Sequence, residues 1–145
     1  MTHAALASTG QPRTAPTDDA QSRYQPGVCN IGPAEIARRQ RAGHAGLATS
    51  VGLLAVLLAI DAPPIARFVV ALPAATAASG YLQARLRFCA GFGSAGVFNF
   101  GEIGGTEQVM DADARGRDRA MSRRIGLASL AVGLAVGAAA ALLPR

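Results

Sequence analysis

Three long stretches with at most one charged residue each, set between blocks dense in charge, constrain this chain more than any other feature. Residues 43–60 read "GHAGLATSVGLLAVLLAI" and residues 125–143 read "IGLASLAVGLAVGAAAALL". Between them, residues 65–83, "IARFVVALPAATAASGYLQ", hold a single formal charge, Arg67. Each run is close to the roughly 20 residues a helix needs to cross a hydrocarbon layer of about 30 Å. The alternative is a soluble bundle, whose surface helices carry a polar stripe. The first and third runs have none. Charged residues make up 16% of the 145 residues, below the ~25% usual in soluble domains, and they sit in blocks. The pattern predicts an all-α integral membrane protein with three transmembrane helices.

The breaks between runs support that division. "DAPP" at 61–64 ends the first helix, because proline lacks an N–H and disfavours helix at the residue before it. Pro73 lies inside the second run, where neighbouring groups can satisfy the freed carbonyl. Arg67 stands near the turn, so its long side chain is expected to snorkel to the headgroups. The expected organisation is a disordered tail over 1–28, a hairpin domain over 29–101, a charged helical linker over 102–124 and a third span over 125–143.

Arginine placement predicts direction. The net charge is +5 and every basic residue except the two histidines is arginine. Arg38, Arg39 and Arg41 precede the first span; Arg85, Arg87, Arg115, Arg117, Arg119, Arg123 and Arg124 lie between the second and third. Only Arg67 and Arg145 fall on the other side. The positive-inside bias then places the N-terminus in the cytoplasm and the C-terminus outside, in a bacterial inner membrane. Both cysteines, Cys29 and Cys89, fall on the reducing side, where a stable disulfide is not expected. No basic stripe alternates with aromatics, so the excess charge points to lipid rather than nucleic acid.

Several local patterns carry expectations. Pro33 suits the first turn of a helix with Glu35 near its positive end, and that helix is expected to bend at Gly43 and lie along the interface. Asp111 with Arg115, and Asp113 with Arg117, have the i,i+4 spacing of helical ion pairs. Ser129, Gly133, Gly137 and Ala141 form a small-residue stripe on the third span, suited to close helix packing with a second copy, a membrane-protein partner or the chain's own hairpin. Thr76 and Gly80 make a weaker version on the second. "FCAGFGSAGVFNFG", residues 88–101, is uncharged and rich in phenylalanine and glycine, a composition that suits the boundary between headgroups and acyl chains.

The candidate chemistry is thin. Cys29, Cys89 and His44 are the conceivable thiol site, with Glu35 or Glu102 as a fourth ligand if it held a metal. As a redox or sulfur-carrying pair, the thiols would need a cation or a helix N-terminus beside them. The alternative is that Cys89 is a small packed residue and Cys29 a loop thiol. No paired carboxylates and no Ser/His/Asp set are present, so no enzyme activity and no cofactor are expected.

"NIGPAEIARRQRAG" before the first span, and "FCAGFGSAGVFN" after the second, together resemble the YgaP-like inner-membrane domain family. The matching positions are Asn30, Gly32, Glu35, Arg39, Gly43, Phe88, Cys89 and Gly96, over about residues 30–101. The resemblance implies a two-helix transmembrane hairpin with these residues as its motif. Arg87 stands where the family often has glycine, and Ala90 where it often has proline. Some relatives carry a rhodanese-type sulfurtransferase domain, for which this chain has no counterpart. Two functions follow from the whole sequence: a non-enzymatic membrane protein that assembles with itself or a partner, or a membrane-anchored thiol protein using Cys29 and Cys89 in redox, sulfur or metal handling.

Overall fold

The computed structural model describes residues 18–144 and is helical through most of that length. A short α1 (Asp18–Arg23) leads into the long α2 (Pro33–Ala59). The second span, Pro64–Leu86, is built from α3 (Pro64–Arg67), a tight 3-10 turn over Phe68–Val70, and α4 (Ala71–Leu86). After it come α5 (Ala90–Ala95), the two-residue strands β1 (Val97–Phe98) and β2 (Glu107–Gln108), and α6 (Ala112–Leu142). Three helices, α2, Pro64–Leu86 and α6, are long and apolar enough to cross a membrane. The 3-10 turn has a local cause. Pro73 offers no N–H to the carbonyl four residues back, at Val69, and its ring crowds that carbonyl.

The helices run further than their apolar runs. α2 starts ten residues before Gly43 and passes through it unbroken, so the expected bend is absent. At 1.5 Å per residue it measures about 40 Å, and α6 about 46 Å. Gly43 does not bend because it is a contact point: a Cβ there would come 3.0 Å from the Tyr81 ring. α6 likewise absorbs most of the expected linker. Its N-cap is Asp111, whose carboxylate accepts the N–H groups of Asp113 (2.7 Å) and Ala114 (3.1 Å). Those bonds hold the Asp111 carboxyl below the usual carboxylate range. The expected ion pairs to Arg115 and Arg117 are not formed. Glu35 instead pairs with Arg38 and Arg39.

α4 lies in the middle, packed against α2 on one side and α6 on the other. Small residues make both contacts. On the α2 side, Cβ atoms added at Gly46 and Gly80 would fall 2.7 Å from Ala77 N and 2.5 Å from Gly43 N. On the α6 side, Cβ atoms at Gly133 and Gly137 would fall 2.6 Å from Ala71 O and 2.7 Å from Ala71 Cβ. The third-span stripe is therefore occupied within the chain. Ser129, Gly133 and Gly137 are buried, but Ala140 rather than Ala141 continues the row. A spacing of four drifts by about 40° per step on a 3.6-residue helix, so Ala141 has turned roughly 120° away from Ser129. Of the weaker pair, Gly80 packs and Thr76 is exposed.

Buried hydroxyls in the spans are satisfied by their own helix, as hydrocarbon surroundings demand. Ser50 donates to Gly46 O and Ser129 to Ile125 O, each at 2.8 Å. Outward-facing Leu47, Val51, Leu72, Leu127 and Leu130 suit lipid contact. Arg67 departs from expectation. It is 0% exposed, so it does not snorkel; it donates from Nε to Ala62 O (2.8 Å) and from Nη1 to Leu143 O (2.9 Å). It thereby ties the ends of the first and third spans at the hairpin turn.

At the opposite end, the loops form a small cap. Of the expected tail, residues 1–17 lie outside the described residues, while 18–28 are docked. Tyr24 stacks on Phe98 (centroids 4.9 Å apart), and Val109 and Ala114 complete this cluster. Asp118 of α6, fully buried, accepts the Tyr24 hydroxyl and the Gly27 N–H, both at 2.7 Å. Burial first, and the bond to Asp118 second, push the Tyr24 hydroxyl well above the ordinary phenol value. Two phenylalanines of the 88–101 segment pack against protein: Phe88 is 0% and Phe98 2% exposed. α5 sits so close to α6 that a Cβ at Gly93 would meet Ser122 Oγ at 2.5 Å and the Phe88 ring at 2.6 Å.

Candidate functional site

The cap brings most of the motif residues to one place. Asn30 is fully buried and commits both ends of its side-chain amide and both of its backbone groups to the returning chain. Its Oδ1 accepts the Cys89 N–H (2.7 Å) and its Nδ2 donates to the Cys89 carbonyl (3.1 Å). Its own N–H reaches Arg87 O (3.2 Å), and its carbonyl accepts from Asn99 N (2.9 Å). Gly32 N then bonds Asn99 O (2.8 Å), with the Phe100 backbone so close that a Cβ on Gly32 would lie 2.9 Å from it. Glycine is required here by close approach, not by backbone dihedrals.

Cys89 is the N-cap of α5, and two groups from different elements donate to its sulfur. The Phe92 N–H lies 3.4 Å away, and Arg39 Nη2, from α2, lies 2.9 Å away. Arg39 is positioned from two further directions. Glu35, one turn earlier, pairs with it at 3.4 Å, and its guanidinium lies 5.9 Å above the centre of the Phe92 ring. Glu35 is itself buried and also pairs with Arg38 at 3.5 Å. Gln83 at the end of α4 fixes the start of α5: its Oε1 accepts Ala90 N (3.0 Å) while its Nε2 donates to Ser79 Oγ (2.8 Å). Cys89 is 2% exposed. Arg39 lies between it and a cleft of about 370 Å³ that Arg39 lines together with Ala42, Thr76, Ser79 and Gln83.

The other candidates are elsewhere. His44 is exposed, and its Nδ1 lies 2.7 Å from the Tyr81 hydroxyl with the rings edge-on. The structure pairs it with that tyrosine rather than with a thiol. Cys29 is half-buried, its Sγ 3.9 Å from Ile31 O, and it faces a different cleft from that beside Arg39. Both cysteines are free thiols. Glu35, considered as a metal ligand, is engaged by two arginines, and Glu102 is exposed. Among the described residues no three His, Cys, Asp or Glu side chains are grouped to hold a metal ion.

Of the motif positions, Asn30, Gly32, Glu35, Arg39, Phe88 and Cys89 surround one another. Gly96 ends α5 with φ +72°, the left-handed conformation glycine favours, and Gly43 lies higher, in the helix contact. Gln83 and Asp118 are functional in positioning and were not singled out in the sequence. Gln83 had a signal, as the one amide at the end of a span. Asp118 had none inside "RGRDRA". No family model, no curated protein and no solved structure matches the chain.

Proposed function

We propose that this chain is a three-span inner-membrane protein that presents one arginine-held thiol, Cys89, at the cytoplasmic end of the bundle for sulfur–sulfur exchange. The observation that carries the reading is the convergence of the Arg39 guanidinium and the Phe92 N–H on a single sulfur. A cation and the first turn of a helix are the surroundings shared by nucleophilic cysteines. Packing alone does not call for them, because Asn30 already holds both backbone groups of Cys89. The assembly reading loses its main support, since the Gly133 and Gly137 stripe is filled by α4.

With one thiol so placed and Cys29 in other surroundings, the fitting reaction is sulfane transfer from a persulfide. Cys89–SH and R–S–SH give Cys89–S–SH and R–SH: the outer S–S bond of the donor breaks, a new one forms at Cys89, and a proton passes to the departing thiolate. No net oxidation occurs. Arg39, a long rotatable arm between the sulfur and the adjoining cleft, is the group that must swing aside to admit the donor.

The test uses the full chain in mild detergent, treated with a glutathione persulfide donor and mapped by mass spectrometry. Cys89 is expected to gain one sulfur atom in the wild type and in Cys29→Ser, and at least tenfold more slowly in Arg39→Ala. Sulfur gained by Cys29 alone, or an unchanged rate at Cys89 in Arg39→Ala, would overturn the proposal. The orientation is tested separately, by protease access to the Arg145 end in intact cells.

A further inference from the structure

A cleft of about 870 Å³ is distinct from the one beside Arg39. It lies between the start of α2 and the end of α4, and takes in Arg23, Arg85, Arg87, Cys29, Gly32 and Phe100. Among the described residues no acidic side chain lines it. Neither Arg85 nor Arg87 has a side-chain hydrogen bond or ion pair among the described residues, whereas Glu35 already pairs with Arg38 and Arg39. The uncapped start of the 27-residue α2 opens at the same place, adding the positive end of a long helix dipole.

Arg87 gives the cleft its meaning. It ends α4 in the left-handed conformation, with φ +53° and ψ +35°. The turn it makes, with Phe88 N bonded to Gln83 O and Arg87 N to Ala84 O, is one that glycine forms without strain. Arginine adds nothing to that turn. What it adds is an exposed cationic side chain on a residue that lines the cleft, at a cost in backbone strain, and strain held at one residue points to function. We infer that this cleft binds a phosphate group, through Arg85, Arg87 and the start of α2.

The depth of the cleft favours a lipid phosphate. Gly80 meets Gly43 and Ala77 meets Gly46 across the hairpin, so Ile36 stands level with Arg87. About 20 residues counted back from Ile60 reach Arg41, which puts the hydrocarbon boundary there and Ile36 to Arg39 in the headgroup layer. Val28, Ile36 and Leu86 supply apolar walls beside the charges. Basic pockets between spans at the cytoplasmic face are suited to anionic headgroups. The same chemistry would accept a soluble phosphate.

The experiment follows binding to the full chain in neutral detergent by native mass spectrometry, with dihexanoyl phosphatidylglycerol and inorganic phosphate as separate probes. Cys29 alkylation, read peptide by peptide, reports occupancy of the cleft. The wild type is expected to retain one phosphatidylglycerol and to protect Cys29. Arg85→Ala and Arg87→Gly should each weaken retention about tenfold, the loss of one charge-assisted contact. Arg87→Gly should meanwhile melt no lower than wild type, since it relieves the left-handed arginine. Arg119→Ala, on an exposed arginine elsewhere in α6, should change nothing. Competition by inorganic phosphate would assign a soluble ligand to the same site; its absence would assign the lipid. Failure of both probes to bind, unchanged binding in Arg87→Gly, or an equal loss in Arg119→Ala would overturn the inference.

Discussion

Replacing Gly80 by alanine tests the packing on which the cap depends. A Cβ on Gly80 would sit 2.5 Å from Gly43 N, 2.7 Å from Arg39 O and 2.7 Å from Gly43 Cα. All three are backbone atoms, so no side chain can turn away. Ordinary contact begins at 3.4 Å, so α2 and α4 must part by about 1 Å. Overpacking of this kind costs about 1–3 kcal/mol. Alanine also gains roughly 1 kcal/mol of helix propensity over glycine, which obscures the raw number. Gly52→Ala supplies the correction, because a Cβ there meets nothing within 4 Å on the same helix pair. The difference between the two variants is therefore the packing term, expected near 2 kcal/mol. Reversible unfolding in mixed micelles, followed by circular dichroism, measures it. A second readout follows from Arg39, whose carbonyl is among the displaced atoms: Gly80→Ala should slow sulfur uptake at Cys89 and Gly52→Ala should not. A difference below about 0.5 kcal/mol, the usual error of such comparisons, would refute the claim that this contact sets the hairpin.

Two further outcomes are expected. Because the folded-state value of Tyr24 lies above the unfolded 10.0, its bond to Asp118 contributes fully below about pH 10 and is lost as pH rises through the folded value. Proteolysis within residues 20–30 should therefore accelerate only in strong alkali, and Tyr24→Phe should abolish that pH dependence. Arg67→Leu leaves the Ala62 and Leu143 carbonyls without their donor and should cost about 2 kcal/mol, seen as faster amide exchange at the end of α6.

How much of this was legible before the coordinates differs by kind of interaction. The three spans were plain, because runs of this length with at most one charge, two of them without a polar stripe, suit hydrocarbon better than a soluble bundle. The stripe of Ser129, Gly133 and Gly137 was also plain as a contact, but its partner was not. Small residues permit approach without naming what approaches, and α4's own Ala71 and Ala75 were as unmarked as any alanine. Helix continuity through Gly43 was misread because glycine weakens an isolated helix, whereas here Tyr81 and Gly80 press against it. Arg67 was misread for a related reason. Its burial depends on two helix ends, at Ala62 and Leu143, that lie 81 residues apart in the chain and meet only in space. Asn30 was marked by the family resemblance alone, while Arg39 and Cys89 were otherwise marked only singly, as an orienting charge and a candidate thiol. Their bonds join the chain before the first span to the chain after the second, a pairing no local pattern encodes.

The central place of α4 has a consequence for biogenesis. Since α6 packs on α4 and on the short segments that flank it, the last helix has no docking surface until the second span and α5 are in place. Separation of the chain near Gly104, with the halves produced as two polypeptides, should still yield the complete bundle when the amino-terminal half is made first, and the carboxy-terminal half alone should be degraded.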